Sequence, residues 1–217
     1  MKQIIKDMKC ETFGNAQSKQ IEIFDNSNNK IGYLIPIGNW ILQEKEIIEQ
    51  IMTWRKRSMR MFLTQFDATY GRTLNYLKDL AIAKEDRLLF LIYTNTNKLV
   101  GHIGIANITK DKTELDNLIR GDSGGHPRLM YFSEITLLDW CFNTLNTKEN
   151  NLHILSFNSI LIETHTQIGY RIVNEYFLKK EKNNGIISHT KVNKKSSNVN
   201  YKIMEMLLNK KDFYNGK

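Results

Sequence analysis

The chain lacks most features that would mark a cross-linked, membrane-bound or metal-dependent protein. Only two cysteines, Cys10 and Cys141, occur in 217 residues, too few for a disulfide framework. Cys141 sits in an apolar helical pattern and reads as a core thiol rather than a nucleophile. No run reaches the roughly 18 apolar residues that a membrane-spanning helix needs. Residues 1–7, MKQIIKD, hold no long apolar signal core. A cytoplasmic protein with no membrane partner is therefore expected. The histidines His102, His126, His153, His165 and His189 show no ligand spacing, so no metal is expected. Gly101 and Gly104 match neither a dinucleotide fingerprint nor a phosphate loop. Internal repeats and long linkers are absent, and the length suits one domain.

Positive charge is plentiful, with a formal net charge of +8. The basic residues are scattered, apart from Arg55-Lys56-Arg57 with Arg60, residues 179–182, and Lys194-Lys195. No recognition helix, zinc-finger spacing or aromatic RNA-binding motif accompanies them. No nucleic-acid partner is expected, and an anionic small molecule suits the surplus.

Apolar periodicity orders the elements. Residues 20–24 and 30–37 flank a polar turn and read as a hairpin. Residues 44–59 and 69–83 carry helical spacing, with Thr69 as an N-cap. Residues 87–93, 99–106 and 113–120 read as strands, 129–145 as a helix and 152–157 as a strand. A short helix follows Asn158, then a hairpin of residues 171–180 and 186–192 around Asn183-Asn184-Gly185. Residues 201–208 read as a short amphipathic helix packed on the outside. The fold class is α+β, with a mixed, mostly antiparallel central sheet flanked by helices. Residues 30–192 form the expected domain, 1–29 an N-terminal extension with the first hairpin strand, and 193–217 a tail.

The most specific stretch is Asn158-Ser-Ile-Leu-Ile-Glu-Thr-His165-Thr-Gln-Ile-Gly169-Tyr170. A strand ends at an Asn, a short helix follows, and a Gly-aromatic pair opens the next strand. Asn158, His165, Gly169 and Tyr170 fall at the spacing of the C-terminal signature of the GNAT superfamily, which this chain resembles. The element order over residues 30–192 is also that of a GNAT domain. The loop from Arg120 to Arg128 departs from the usual family pattern, being one residue too long between Arg120 and Gly124. In this it is similar to GNAT proteins of bacterial amino-sugar and surface-polysaccharide pathways.

The resemblance implies an acyl-CoA-dependent N-acyltransferase that uses acetyl-CoA or a related acyl-CoA. It implies that the backbone of the strand holding Ile103 and Ile105 pairs with the pantetheine arm. Arg120, Gly121, Gly124, Gly125 and Arg128 would hold the pyrophosphate, because a glycine loop before a helix offers free N–H groups. Asn158 would contact pantetheine. His165 would protonate the departing thiolate, with His102 as a second candidate. Glu114 and Asp116 share one strand face and are candidates for the base or the anchor of the acceptor amine. Trp54 and Arg55 are candidates for stacking on the acceptor and pairing with a diphosphate. The implied acceptor is a nucleotide-linked amino-deoxy sugar. The alternatives are a protein N-terminal or other small-amine acetyltransferase, a non-catalytic CoA-binding module, and a basic nucleic-acid-binding module.

Overall fold

The polar turn after residue 24 does close a hairpin. The Asp25 carboxylate accepts from the backbone N–H groups of Ser27 and Asn29, and β1 (Ile21–Phe24) pairs with β2 (Lys30–Pro36). In this computed structural model, which describes residues 1–215, two short helices precede that hairpin, α1 (Lys2–Met8) and α2 (Phe13–Gln17). After it come α3 (Lys45–Ser58), the two-residue strand β3 (Thr64–Gln65), and α4 (Tyr70–Asn75), which continues as a π-helical stretch, Tyr76–Ile82. The Thr69 hydroxyl caps α4 by accepting from the Arg72 N–H. The strands β4 (Leu88–Thr94), β5 (Leu99–Ala106) and β6 (Lys112–Arg120) form a meander. Next come α5 (Leu129–Asn143), β7 (Glu149–Leu155), α6 (Ser159–Ile168), β8 (Arg171–Asn183), β9 (Ile186–Val192), β10 (Lys202–Asn209) and α7 (Lys210–Asn215).

All ten described strands join one sheet, in the order β1-β2-β4-β5-β6-β7-β10-β8-β9-β3. Every described pairing is antiparallel except that of β6 with β7. The sheet separates two apolar layers. One packs α5 against the strands through Leu129, Leu137, Leu138 and Phe142. The other packs α3 and the π-helical stretch through Ile48, Ile51, Trp54 and Leu77. No described helix is long and apolar enough to cross a membrane.

Residues 201–208 differ from the sequence expectation. They form not an outer helix but β10, which lies between β7 and β8. Its buried residues are Ile203, Met206 and Leu208, a spacing that mimics a helical face because the pairing with β8 slips between Glu205 and Met206. The sheet thus incorporates both the N-terminal extension, through β1, and the C-terminal tail, through β10.

Candidate acyl-transfer cleft

Two features of β6 open the sheet at its centre. The parallel pairing with β7 joins only residues 112–114 to 149–151. Beyond Glu114 the two strands are unpaired with each other, while β5 still pairs with β6 up to Arg120. Within this stretch Asn117 takes a left-handed backbone, φ 52, and the β5–β6 register shifts. An extra residue of this kind bends a strand and increases its twist. The result is an edge of β6 over residues 115–120 that is unpaired with β7 and lines a cavity of about 1060 Å³. One half of the cavity meets Met130 of α5 with Asn158, Leu161 and His165 near α6. The other meets Arg55, Phe62, Phe66, Arg72, Tyr76 and Arg87.

The strand expected to offer its backbone was β5, and the structure corrects this. Ile103 and Ile105 are fully buried in the apolar core, and β5 is paired on both sides, to β4 and β6. Its glycines serve the sheet instead. A Cβ at Gly101 would lie 2.3 Å from the Ile119 carbonyl oxygen. Trp54 is likewise core, 1% exposed, and does not line the cavity. It lies against Gly121, where a Cβ would sit 2.0 Å from its ring carbons. The Trp54 indole N–H donates to Asp122, which also accepts from Arg57. Gly121 therefore admits the Trp54 ring, and Trp54 braces the loop rather than an acceptor.

Glu114, Asp116, Arg55, Arg120, Asn158 and His165 all line the cavity. Gly124, Gly125 and Arg128 lie off it, in the loop before α5. Arg120 donates to the Gly124 carbonyl, Lys98 donates to the Ser123 carbonyl, and the Arg128 guanidinium sits 4.0 Å from the Tyr131 ring centroid.

The polar groups form two networks on the α3/α4 side. Asp116 accepts from Arg87 at 2.5 Å and from the Asn117 amide at 2.7 Å. That amide also donates to the Tyr76 hydroxyl, and burial pushes Tyr76 up to about 12, so it stays a neutral phenol. Glu114 accepts from His153 Nδ1 at 2.9 Å and from the Asn107 amide at 2.6 Å. Burial alone would raise the Glu114 carboxyl, but the hydrogen bonds from His153 and Asn107, with nearby positive charge, outweigh it and hold the group below its ordinary value. Arg55 stacks on Phe62, 3.2 Å from the ring centroid, and burial lowers it to about 10. His102 donates from Nδ1 to the Asn117 carbonyl, and burial lowers it to about 4. The buried Arg55 Nε and His102 Nε2 have no hydrogen-bond partner.

His165 reaches the cavity from the opposite layer. It is 3% exposed, and its Nδ1 meets the carboxylate of Glu134, on α5, at 2.8 Å. Reading the sequence missed Glu134, His153, Arg87 and Tyr76. His153 had a usable signal, since it alternates with Leu152 and Ile154 along one strand. The others had none, because their partners lie far away in the chain.

No protein-family model and no curated protein matches the chain. Solved structures match it well. The fold is that of the GNAT N-acetyltransferases. FdhC, a nucleotide-linked sugar GNAT, superposes at a TM-score of 0.63 with 11% identity, over 90% of this chain and 94% of its own. A probable GNAT acetyltransferase from Chromobacterium violaceum gives 0.65 with 12% identity, over 86% of each chain. The spermidine N-acetyltransferase of Vibrio cholerae, solved with CoA and spermine, gives 0.57 with 13% identity, over 80% of this chain and 94% of its own.

Proposed function

We propose that the chain is an acyl-CoA-dependent N-acyltransferase, and that its acceptor is the primary amine of a nucleotide-linked amino-deoxy sugar. The observation that carries the reading is the unpaired edge of β6 over residues 115–120. An extended arm bearing amide groups can add to such an edge as a further strand. In this reading a backbone N–H group of that edge polarises the thioester carbonyl and holds the charge that develops on its oxygen. Asn158 and His165, which line the cavity on the α6 side, in the same reading receive the arm and the departing thiolate. A cytoplasmic location belongs to the same reading.

The acceptor class rests on charge. Arg87 is neutralised by Asp116, and the Glu114 carboxylate remains negative in the cavity. Arg55, Arg72 and Arg120 then face the cavity against Asp79 and Glu114. This surplus favours a diphosphate-bearing acceptor and disfavours a polyamine. The likeness to a nucleotide-linked sugar GNAT points the same way. The test is thiol release with several acyl-CoAs against nucleoside-diphosphate amino-deoxy sugars, spermidine and peptide N-termini. Turnover is expected with the sugars and not with spermidine. Faster acylation of spermidine or of peptides would overturn the acceptor class, and failure to bind any acyl-CoA would overturn the whole reading.

A further inference from the structure

Three carboxylates line the cleft on its acceptor side, the exposed Asp79 and the β6 residues Glu114 and Asp116. Asp116 is held through one oxygen, Oδ2, by Arg87 and the Asn117 amide. Glu114 spends one oxygen on Asn107 and the other on His153. With both oxygens accepting, Glu114 is held below its ordinary value and is a poor proton acceptor. The geometry points to His153 as the base that takes the proton of the acceptor amine, with Glu114 as its positioning residue. This assignment rests on the acyltransferase reading above.

Three observations support it. First, an ionised carboxylate can only accept. The contact to Glu114 therefore puts the proton on His153 Nδ1 and leaves the lone pair on Nε2, the arrangement a carboxylate imposes on a catalytic histidine. Second, Nε2 already faces an ammonium, since Lys191 Nζ lies 3.4 Å from it. Lys191 keeps another contact, 3.8 Å from the centroid of the Tyr176 ring, so a substrate ammonium can take its place at Nε2. Third, Glu114 is the last β6 residue paired with β7, and both Glu114 and His153 line the cavity. The pair thus stands at the closed end of the opening between the strands.

One proton of the acceptor ammonium passes to His153 Nε2, giving a neutral amine and an imidazolium beside Glu114. The amine lone pair forms the C–N bond, the C–S bond breaks, and sulfur leaves with the electron pair. The second proton of the nitrogen ends on that sulfur, and Nε2 returns its own to solvent. The charges that bear on His153 are Glu114 from β6, Lys191 from β9 and Glu205 from β10, with Arg87 of the β4 edge acting through Glu114.

The experiment compares the intact protein with H153Q, E114Q and K191Q. Acyl-CoA affinity is read by calorimetry, and kcat and KM across pH with the best amine of the panel. H153Q is expected to lower kcat about 10²–10⁴-fold with acyl-CoA affinity unchanged. E114Q removes the anion that favours the imidazolium, so the acid limb of the kcat profile moves to lower pH. K191Q removes a like charge, so the limb moves to higher pH. A merely structural His153 would give neither displacement. An H153Q variant within about threefold of the parent kcat, or an acid limb unmoved in both other variants, overturns the assignment. A parent protein that binds acyl-CoA yet acylates no amine overturns the acyltransferase reading, and the base assignment falls with it.

Discussion

Under the proposed function, His165 serves two demands through one ring. Its Nδ1 is committed to Glu134, which is completely buried, so Nε2 is the nitrogen that can meet a thiolate. Replacing His165 by Ala leaves Glu134 buried without its partner, a loss of about 3–5 kcal/mol in comparable buried pairs. The expected result is a marked fall in the urea midpoint of H165A. The double variant H165F/E134L removes both polar groups and should regain most of that stability but not the turnover. If the double variant keeps parental kcat, His165 is not the proton donor.

His102 makes a different prediction. Burial depresses it from 6.5 to about 4, so the folded protein keeps it neutral where the unfolded chain would already take up a proton. Its contribution is complete above about pH 6.5 and is lost as pH falls toward about 4. The loss amounts to something on the order of 3 kcal/mol. Urea unfolding at pH 7 and pH 4.5 should show it, and H102Q should flatten the pH dependence. An equal pH dependence in H102Q would show that other groups carry it.

Among the elements, β10 is the one whose role the sequence disguised. Short apolar segments fit both periods when strand pairing slips, and Ile203, Met206 and Leu208 mimic a helical stripe for that reason. Its position between β7 and β8 makes it a structural member of the cleft, since β7 forms one wall. Truncation after Val199 is therefore expected to abolish cooperative folding, measured by circular dichroism and thermal melting. A folded truncated protein that still binds acyl-CoA would mean that β7 and β8 can close without it. The confusion of β5 with β6 has a related cause. Glycines in a strand signal close approach, but the approaching group here is the neighbouring strand.

The cleft is a property of the whole molecule because it passes from one layer of the sheet to the other. The α5 and α6 side contributes Met130, Asn158 and His165, and the α3 and α4 side contributes Arg55, Tyr76 and Phe62. A strap ties these halves together. β3 pairs with β9, the Leu63 carbonyl accepts from His189, and Arg55 donates to the Thr64 carbonyl. The connection between α3 and α4 thereby reaches the far edge of the sheet and encloses the acceptor side.

By itself the sequence determined what local rules govern. Apolar period, the Thr69 cap, the Asn184-Gly185 turn and the Gly169 helix end gave the element order and the fold class. The spacing of Asn158 and His165 pointed to the chemistry. What only the tertiary structure decided are the contacts between distant residues. Glu114 meets His153, Asp116 meets Arg87 and Glu134 meets His165 across strands and helices, and none of these pairings leaves a local pattern. The unpaired edge of β6 is of the same kind, because whether a strand has a neighbour depends on where another strand stops pairing.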